Sequence, residues 1–195
     1  MGVIRDKLID LVRFRGRDPR SRFWPYAALV FVLLIICAMA LLPPVLRDAG
    51  EKVRRFAALH PESASVNVTP HGATIRIGGF HPDLLPDFHR FFLVVDLLAA
   101  GVVLLLAAAV ARRLHDRGLS GWWGAMPLPF LAIGLWLAPD LFASFSRGHW
   151  PDMRLFQWLL LDNLAWLATL IVLIVLLATD GAIGPNRYGP DPLRP

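Results

Sequence analysis

Apolar residues along this chain come in long unbroken runs, not in the helical or alternating periods of a water-soluble domain. The first runs from Trp24 to Leu42 (WPYAALVFVLLIICAMALL) and the second from Phe91 to Ala111 (FFLVVDLLAAGVVLLLAAAVA). A third covers Trp122 to Ala143 and a fourth Leu155 to Ala178. Each is close to the roughly 20 residues needed to cross a hydrocarbon layer of ~30 Å at ~1.5 Å per residue. Lipid offers nothing to backbone N–H and C=O groups, so each run is expected to be a helix that satisfies its own. The pattern predicts an all-α membrane protein with four transmembrane helices. The reading is a single membrane domain over residues 1–195 with an extracytoplasmic insertion at 43–90.

The polar intervals refine this. Val3 to Phe14 has apolar Val3, Ile4, Leu8, Leu11 and Val12 opposite a charged face, which predicts an amphipathic helix lying along the interface. Gly16, Asp18 and Pro19 break it. Within the insertion, Val45 to Leu59 reads as a helix with Ala49, Val53 and Phe56 on one side. Val66, Val68 and Ile75, Ile77 then alternate around Thr69-Pro70-His71-Gly72, a hairpin signal, and Pro82 and Pro86 mark the return to the membrane. The third run holds Pro127, Pro129 and Pro139, which predicts a kink supported by neighbouring helices. Ala38-Met39-Ala40 has the small-x-small form of a signal cleavage site. The apolar run is long and begins only after 23 residues, so it is read as a retained helix.

Charge sets the orientation. The first 23 residues hold seven Lys/Arg, the link after the second run holds Arg112, Arg113 and Arg117, and the tail holds Arg187 and Arg194. The opposite side has six in the long insertion and two between the third and fourth runs. Long loops count little, so the bias puts both termini in the cytoplasm. The net charge of +5 crowds beside apolar runs instead of forming a soluble basic patch, so nucleic acid is not an expected partner. Cys37, the only cysteine, lies inside the first run and is read as a small core residue.

The link reads RRLHDRGLSGWW, residues 112–123. Its arginines suit the inner leaflet, where anionic headgroups attract each by roughly 1 kcal/mol, and Trp122 and Trp123 suit the interface. If the helix persists, Arg112 shares a face with His115 and Asp116. Gly118 is a natural C-cap and Ser120 a possible N-cap.

Three separated segments carry a family likeness. They are Phe14, Gly16, Arg17, Arg20, Phe23 and Trp24 in the form F-x-G-R-x-x-R-x-x-F-W, the link just quoted, and GAIGPNRYGPDP in the tail. Together they resemble the bacterial inner-membrane family called domain of unknown function 805, over nearly the whole chain. The resemblance implies a small multi-span protein of the bacterial inner (cytoplasmic) membrane and brings no activity with it. The insertion with its hairpin is longer than the family pattern implies.

With both termini inside, all three motifs fall on the cytoplasmic side. The expected polar cluster is Arg17, Arg20, Arg112, Arg113, His115, Asp116, Ser120, Asn186, Arg187, Tyr188 and Asp191. Its first reading is a structural clasp in which Asp116 and Asp191 pair with arginines and tie the tail to the link. A second is a site for an anionic lipid headgroup or phosphorylated ligand, since clustered Arg with Asn and Tyr donors suits phosphate. A third is catalysis by His115 beside Asp116. Sequence neighbours point to different sides of a helix, no nucleophile motif accompanies them, and Ser120 is a candidate only by nearness, so no catalytic residue is assigned.

Elsewhere, Asp96, and Asp162 with Asn163, lie about 7 and 10 Å into the second and fourth runs by helical rise, within reach of Arg90 and Arg154. Ion or proton passage would need more polar residues across the inner half of those spans. Trp158, Asp162 and Trp166 form one stripe, read as interhelical packing. His60, His71, His81, His89 and His149 match no metal-ligand spacing, so neither metal nor cofactor is assigned. The sequence reading is a non-enzymatic membrane scaffold or accessory protein. Its partners are membrane lipids, including anionic headgroups, and a second copy or membrane protein. A small transporter or channel component, and then a membrane enzyme acting on a lipid-like substrate, stay open as alternatives.

Overall fold

The computed structural model describes residues 11–69, 72–146 and 153–193. The expected interfacial helix lies mostly outside them; only its end, Leu11 and Val12, is seen as helical. Helix α1 spans Arg20–Leu59, strands β1 and β2 span Ala64–Thr69 and Gly72–Ile77, and α2 spans Phe88–Asp116. A five-residue 3-10 turn at Gly121–Ala125 leads to α3, Leu128–Ser146, and α4 covers Met153–Ala178. Among the described residues, four helices are long and apolar enough to cross a membrane. The chain is mostly helical, as the run lengths predict.

Two boundaries differ from expectation. The first span and the loop helix are one element of 40 residues that runs straight through Pro43 and Pro44. At ~1.5 Å per residue it is about 60 Å long, roughly twice a hydrocarbon layer. Each proline removes one N–H donor, which weakens a turn without obliging the chain to leave the helix. The third span is the other case. It begins at Trp122 as 3-10 structure, and regular α-helix starts only at Leu128, where Pro127 supplies the carbonyl that Leu131 N–H meets at 3.0 Å. Pro127 and Pro129 fit the first turn, where N–H groups have no intrahelical partner anyway.

The hairpin forms in antiparallel register, with Val66 opposite Ile75 and Ala64 opposite Ile77. The bond from Gly78 N–H to Ser63 carbonyl, 2.8 Å, closes its base. Phe56 of α1 meets both His60 and His81, ring centroids 4.6 and 4.5 Å apart, and so fastens the base to the projecting end of α1.

Packing is concentrated at one end of the bundle. Phe23 and Ala27 of α1, Ala109 and Leu114 of α2, and Leu173 and Leu177 of α4 form the buried cluster. Tyr26 joins α1 to α2 through its hydroxyl, which donates to the Leu105 carbonyl at 2.7 Å. Away from that end, large apolar side chains face outwards: Ile36, Leu97, Leu104, Trp136 and Ile171 are all more than half exposed. Such a surface suits lipid and not water. Trp158, expected in a packed stripe, is 67% exposed. Its neighbour Asp162 lies against the bare backbone of Gly134, where a β-carbon would come within 3.1 Å of the carboxylate. Arg90 pairs with Asp87 one turn away at 3.2 Å and not with Asp96.

Candidate functional site: a polar layer where the chain ends meet

The layer is built on the end of α2. Arg117 caps the helix and Gly118 follows at φ +74°, a left-handed conformation that glycine adopts without a β-carbon penalty. Gly118 N–H bonds the His115 carbonyl at 2.9 Å and Leu119 N–H bonds the Leu114 carbonyl at 3.0 Å. This paired reverse bonding is a Schellman turn, and Leu119 packs on the core beside Leu114 as that motif favours. Ser120 then accepts from Trp122 N–H at 3.4 Å and starts the 3-10 turn. Both expected caps are in place.

Asp116 is the centre. Its side chain is 4% exposed and lies between two guanidinium groups that are themselves almost wholly buried. Arg17 donates from Nε to Oδ1 at 3.0 Å, and Arg113 from Nη1 to Oδ2 at 2.6 Å. One carboxylate thus bridges the N-terminal segment and α2. The backbone carbonyl of Asp116 also accepts Ala182 N–H at 2.8 Å, which brings in the tail. Gly181 makes that approach possible: a β-carbon there would sit 2.1 Å from Asp116 Oδ2.

Arg113, joined by Arg117 and Arg20, also covers the end of α4. The last four carbonyls of any α-helix lack intrahelical donors and carry the negative end of the helix dipole. Here Leu176 accepts from Arg117 Nη1 at 2.9 Å, Leu177 from Arg113 Nε at 3.0 Å, and Ala178 from Arg20 Nη1 at 3.2 Å. Arg113 Nη2 reaches the Thr179 carbonyl. Arg17 continues along the tail, donating to Ala182 at 2.6 Å and to Gly184 at 2.7 Å. Arg20 also pairs with Asp180, on the surface, where such a pair stabilises little.

A second ion pair stands beside the first. Arg112 Nε meets Asp18 Oδ2 at 2.7 Å, and the Asp18 N–H returns a bond to the Arg112 carbonyl at 3.2 Å. Arg112 also donates to the Arg13 carbonyl, and Arg22 approaches Asp18 at 3.6 Å.

The tail closes over this arrangement. Asp191 accepts from the backbone N–H groups of Gly184 and Leu193 at 3.0 and 2.9 Å. Asn186 donates to the His115 carbonyl at 3.0 Å and accepts Tyr188 N–H at 2.9 Å. Tyr188 lies flat on His115, centroids 3.8 Å apart with 7° between the planes, and the Arg187 guanidinium sits 4.7 Å from the Tyr188 ring centre. Arg187 also donates to the Gly118 carbonyl at 3.3 Å. His115 Nδ1 donates to the Gly16 carbonyl at 3.3 Å. Four residues beyond the apolar run that ends at Ala111, its imidazole is held below the usual histidine range by burial first, with the Gly16 bond acting the other way.

Of the eleven residues expected to cluster, ten join one network across the chain's two ends and the link; Ser120 stands at its edge as a cap. The pairing differs in detail. Arg112 turns to Asp18, and it is Arg113, three residues before Asp116, that pairs with it. Asp18, Arg117 and Gly181 were not singled out as members of the cluster. Asp18 reads in sequence as a helix breaker, and only the fold brings it to Arg112. Gly181 gives no local signal because its φ is ordinary and its constraint comes from a side chain 65 positions away. Among the described residues, no three His, Cys, Asp or Glu side chains converge as metal ligands.

A family model described as "Protein of unknown function (DUF805)" matches residues 11–190, a stretch that contains the first two motifs, the hairpin and the third motif as far as Pro190. The chain belongs to the DUF805 family. Curated relatives include the uncharacterized protein YiiR of Escherichia coli K12 and of O157:H7. Each is 37% identical over 86 residues, 44% of this chain and 51% of the relative. The chain therefore spans about half the length of the curated relatives it matches. No solved structure matches. DUF805 membership fits the resemblance carried by the three motifs, and neither the family description nor the relatives' names assign a role to the polar layer.

Proposed function

We propose that this DUF805 protein is a non-enzymatic scaffold or accessory protein of the bacterial inner membrane, with both ends in the cytoplasm. Its polar layer is a clasp: it holds the N-terminal segment, the α2–α3 link and the tail together at the inner leaflet. The observation that carries this reading is internal satisfaction. Among the described residues no buried side-chain nitrogen or oxygen lacks a hydrogen-bond partner. Arg17, Arg113 and Asp116 spend their bonds on one another and on backbone carbonyls. A catalytic base or an ion relay needs a group free to exchange its partner.

Two further points support it. The Arg-rich ends and link favour cytoplasmic retention. The core between α1, α2 and α4 near that end is Phe23, Ala27, Ala109, Leu114, Leu173 and Leu177, an apolar cluster that gives an ion no coordinating group among those side chains.

Single-cysteine labelling in a Cys37→Ser background tests the placement. Ser120→Cys should resist an impermeant maleimide in intact spheroplasts and react after permeabilisation. Asn67→Cys, exposed in the hairpin, should react from outside. Ready external labelling of Ser120→Cys ends the cytoplasmic reading.

A further inference from the structure

A cleft of about 250 Å³ opens beside the clasp, between the N-terminal segment, Arg112 and the tail. Five arginines and one aspartate line it. Arg17 and Arg112 are engaged by Asp116 and Asp18. Arg13 and Arg15 are exposed, and among the described residues their side chains have no acidic partner. Arg22, 70% exposed, is held only at 3.6 Å by Asp18. Tyr188 and Gly189 form the opposite wall. Among the described residues, the Arg13 and Arg15 guanidinium groups take no part in the clasp's ion pairs.

The surroundings point to lipid. Val12 and Phe14, which alternate with Arg13 and Arg15, are 74% and 52% exposed. Trp24, two residues after Arg22, opens the first apolar run and is partly exposed. Apolar side chains interleaved with arginines at the mouth of a membrane helix match a molecule with a phosphate at one end and acyl chains at the other. Guanidinium groups suit phosphate because they donate two parallel bonds to it.

We infer that this cleft binds the phosphate of an anionic phospholipid, with Arg13 and Arg15 as the principal donors and Arg22 in support. The inference rests on the cytoplasmic placement proposed above, but the site and the clasp fail separately. Charge attraction of roughly 1 kcal/mol per arginine makes Arg13→Gln/Arg15→Gln about thirty-fold weaker for the lipid.

The test uses the full chain in non-ionic detergent, titrated with short-chain phosphatidylglycerol and followed by unfolding midpoint. The wild type should gain stability with phosphatidylglycerol and not with phosphatidylcholine. Arg13→Gln/Arg15→Gln should keep the lipid-free midpoint and lose the gain. The pair Arg54→Gln/Arg55→Gln, at the far end of α1, should keep both. An unchanged response in Arg13→Gln/Arg15→Gln, or an equal loss in the Arg54/Arg55 variant, overturns the site. An equal gain from inorganic phosphate alone overturns the lipid assignment. A lowered lipid-free midpoint in Asp116→Asn reports on the clasp instead.

Discussion

Removing the Asp116 carboxylate should cost more than any other single truncation in this protein. The side chain is 4% exposed and makes two charge-assisted bonds, at 3.0 Å to Arg17 and 2.6 Å to Arg113. Such bonds contribute about 1.5–3 kcal/mol each. Asp116→Ala also leaves two guanidinium groups, 2% and 0% exposed, facing one another without a counter-charge. Breaking a buried pair this way costs about 3–5 kcal/mol, and the two routes to the figure agree. The assay is reversible unfolding of the purified protein in mixed micelles, followed by tryptophan fluorescence. Replacing Arg17 and Arg113 by Met and Asp116 by Leu together should not rescue stability, although buried ion triads elsewhere have been replaced without loss. Here the arginines also serve the carbonyls of Leu177, Thr179, Ala182 and Gly184, which the apolar residues would orphan. A loss below about 1 kcal/mol for Asp116→Ala would refute the claim that this carboxylate holds the layer together.

Two other outcomes follow from the same geometry. Gly181→Ala should destabilise by about 1–3 kcal/mol, because the new methyl meets the Asp116 carboxylate and that carboxylate is fixed by its arginines; Gly50→Ala, in open space on α1, should instead stabilise by about 0.5–1 kcal/mol, and equal midpoints for the two variants would contradict the contact. Burial lowers the His115 pKa in the folded state, so the unfolded chain binds the extra proton: His115 stability is complete above the unfolded value of ~6.5 and is lost as pH falls through it towards the folded value. His115→Phe keeps a ring against Tyr188 and should flatten the part of the acid slope that begins as pH falls through the unfolded value; an unchanged slope assigns the acid sensitivity elsewhere.

Much of this was legible from residue order because the solvent is so restrictive. A run such as Phe91 to Ala111 has one conformation available in lipid, and an even number of such runs returns both ends to the same side. The motifs could therefore be placed together before any contact was known. The hairpin was legible too, since Val66 and Ile75 alternate on either side of a turn. What sequence could not supply is pairing across distance. Arg112 has an acidic residue four positions ahead and an apparent breaker 94 positions behind, and only the approach of the N-terminal segment selects Asp18. The continuity of α1 through Pro43 and Pro44 was also hidden. A proline pair reads locally as a stop, whereas the helix beyond it is held by packing of Phe56 against the hairpin base.

The way the tail is held bears on biogenesis. Carbonyls at the end of α4 and along residues 182–184 leave the ribosome well after the arginines that await them. Until residues 177–184 arrive, Arg17 and Arg113 share Asp116 and lack these carbonyl partners. Locking therefore waits for the segment after α4, and a chain cut short before residue 177 presents an open, arginine-rich surface. That surface distinguishes chains that carry residues 177–184 from chains that lack them.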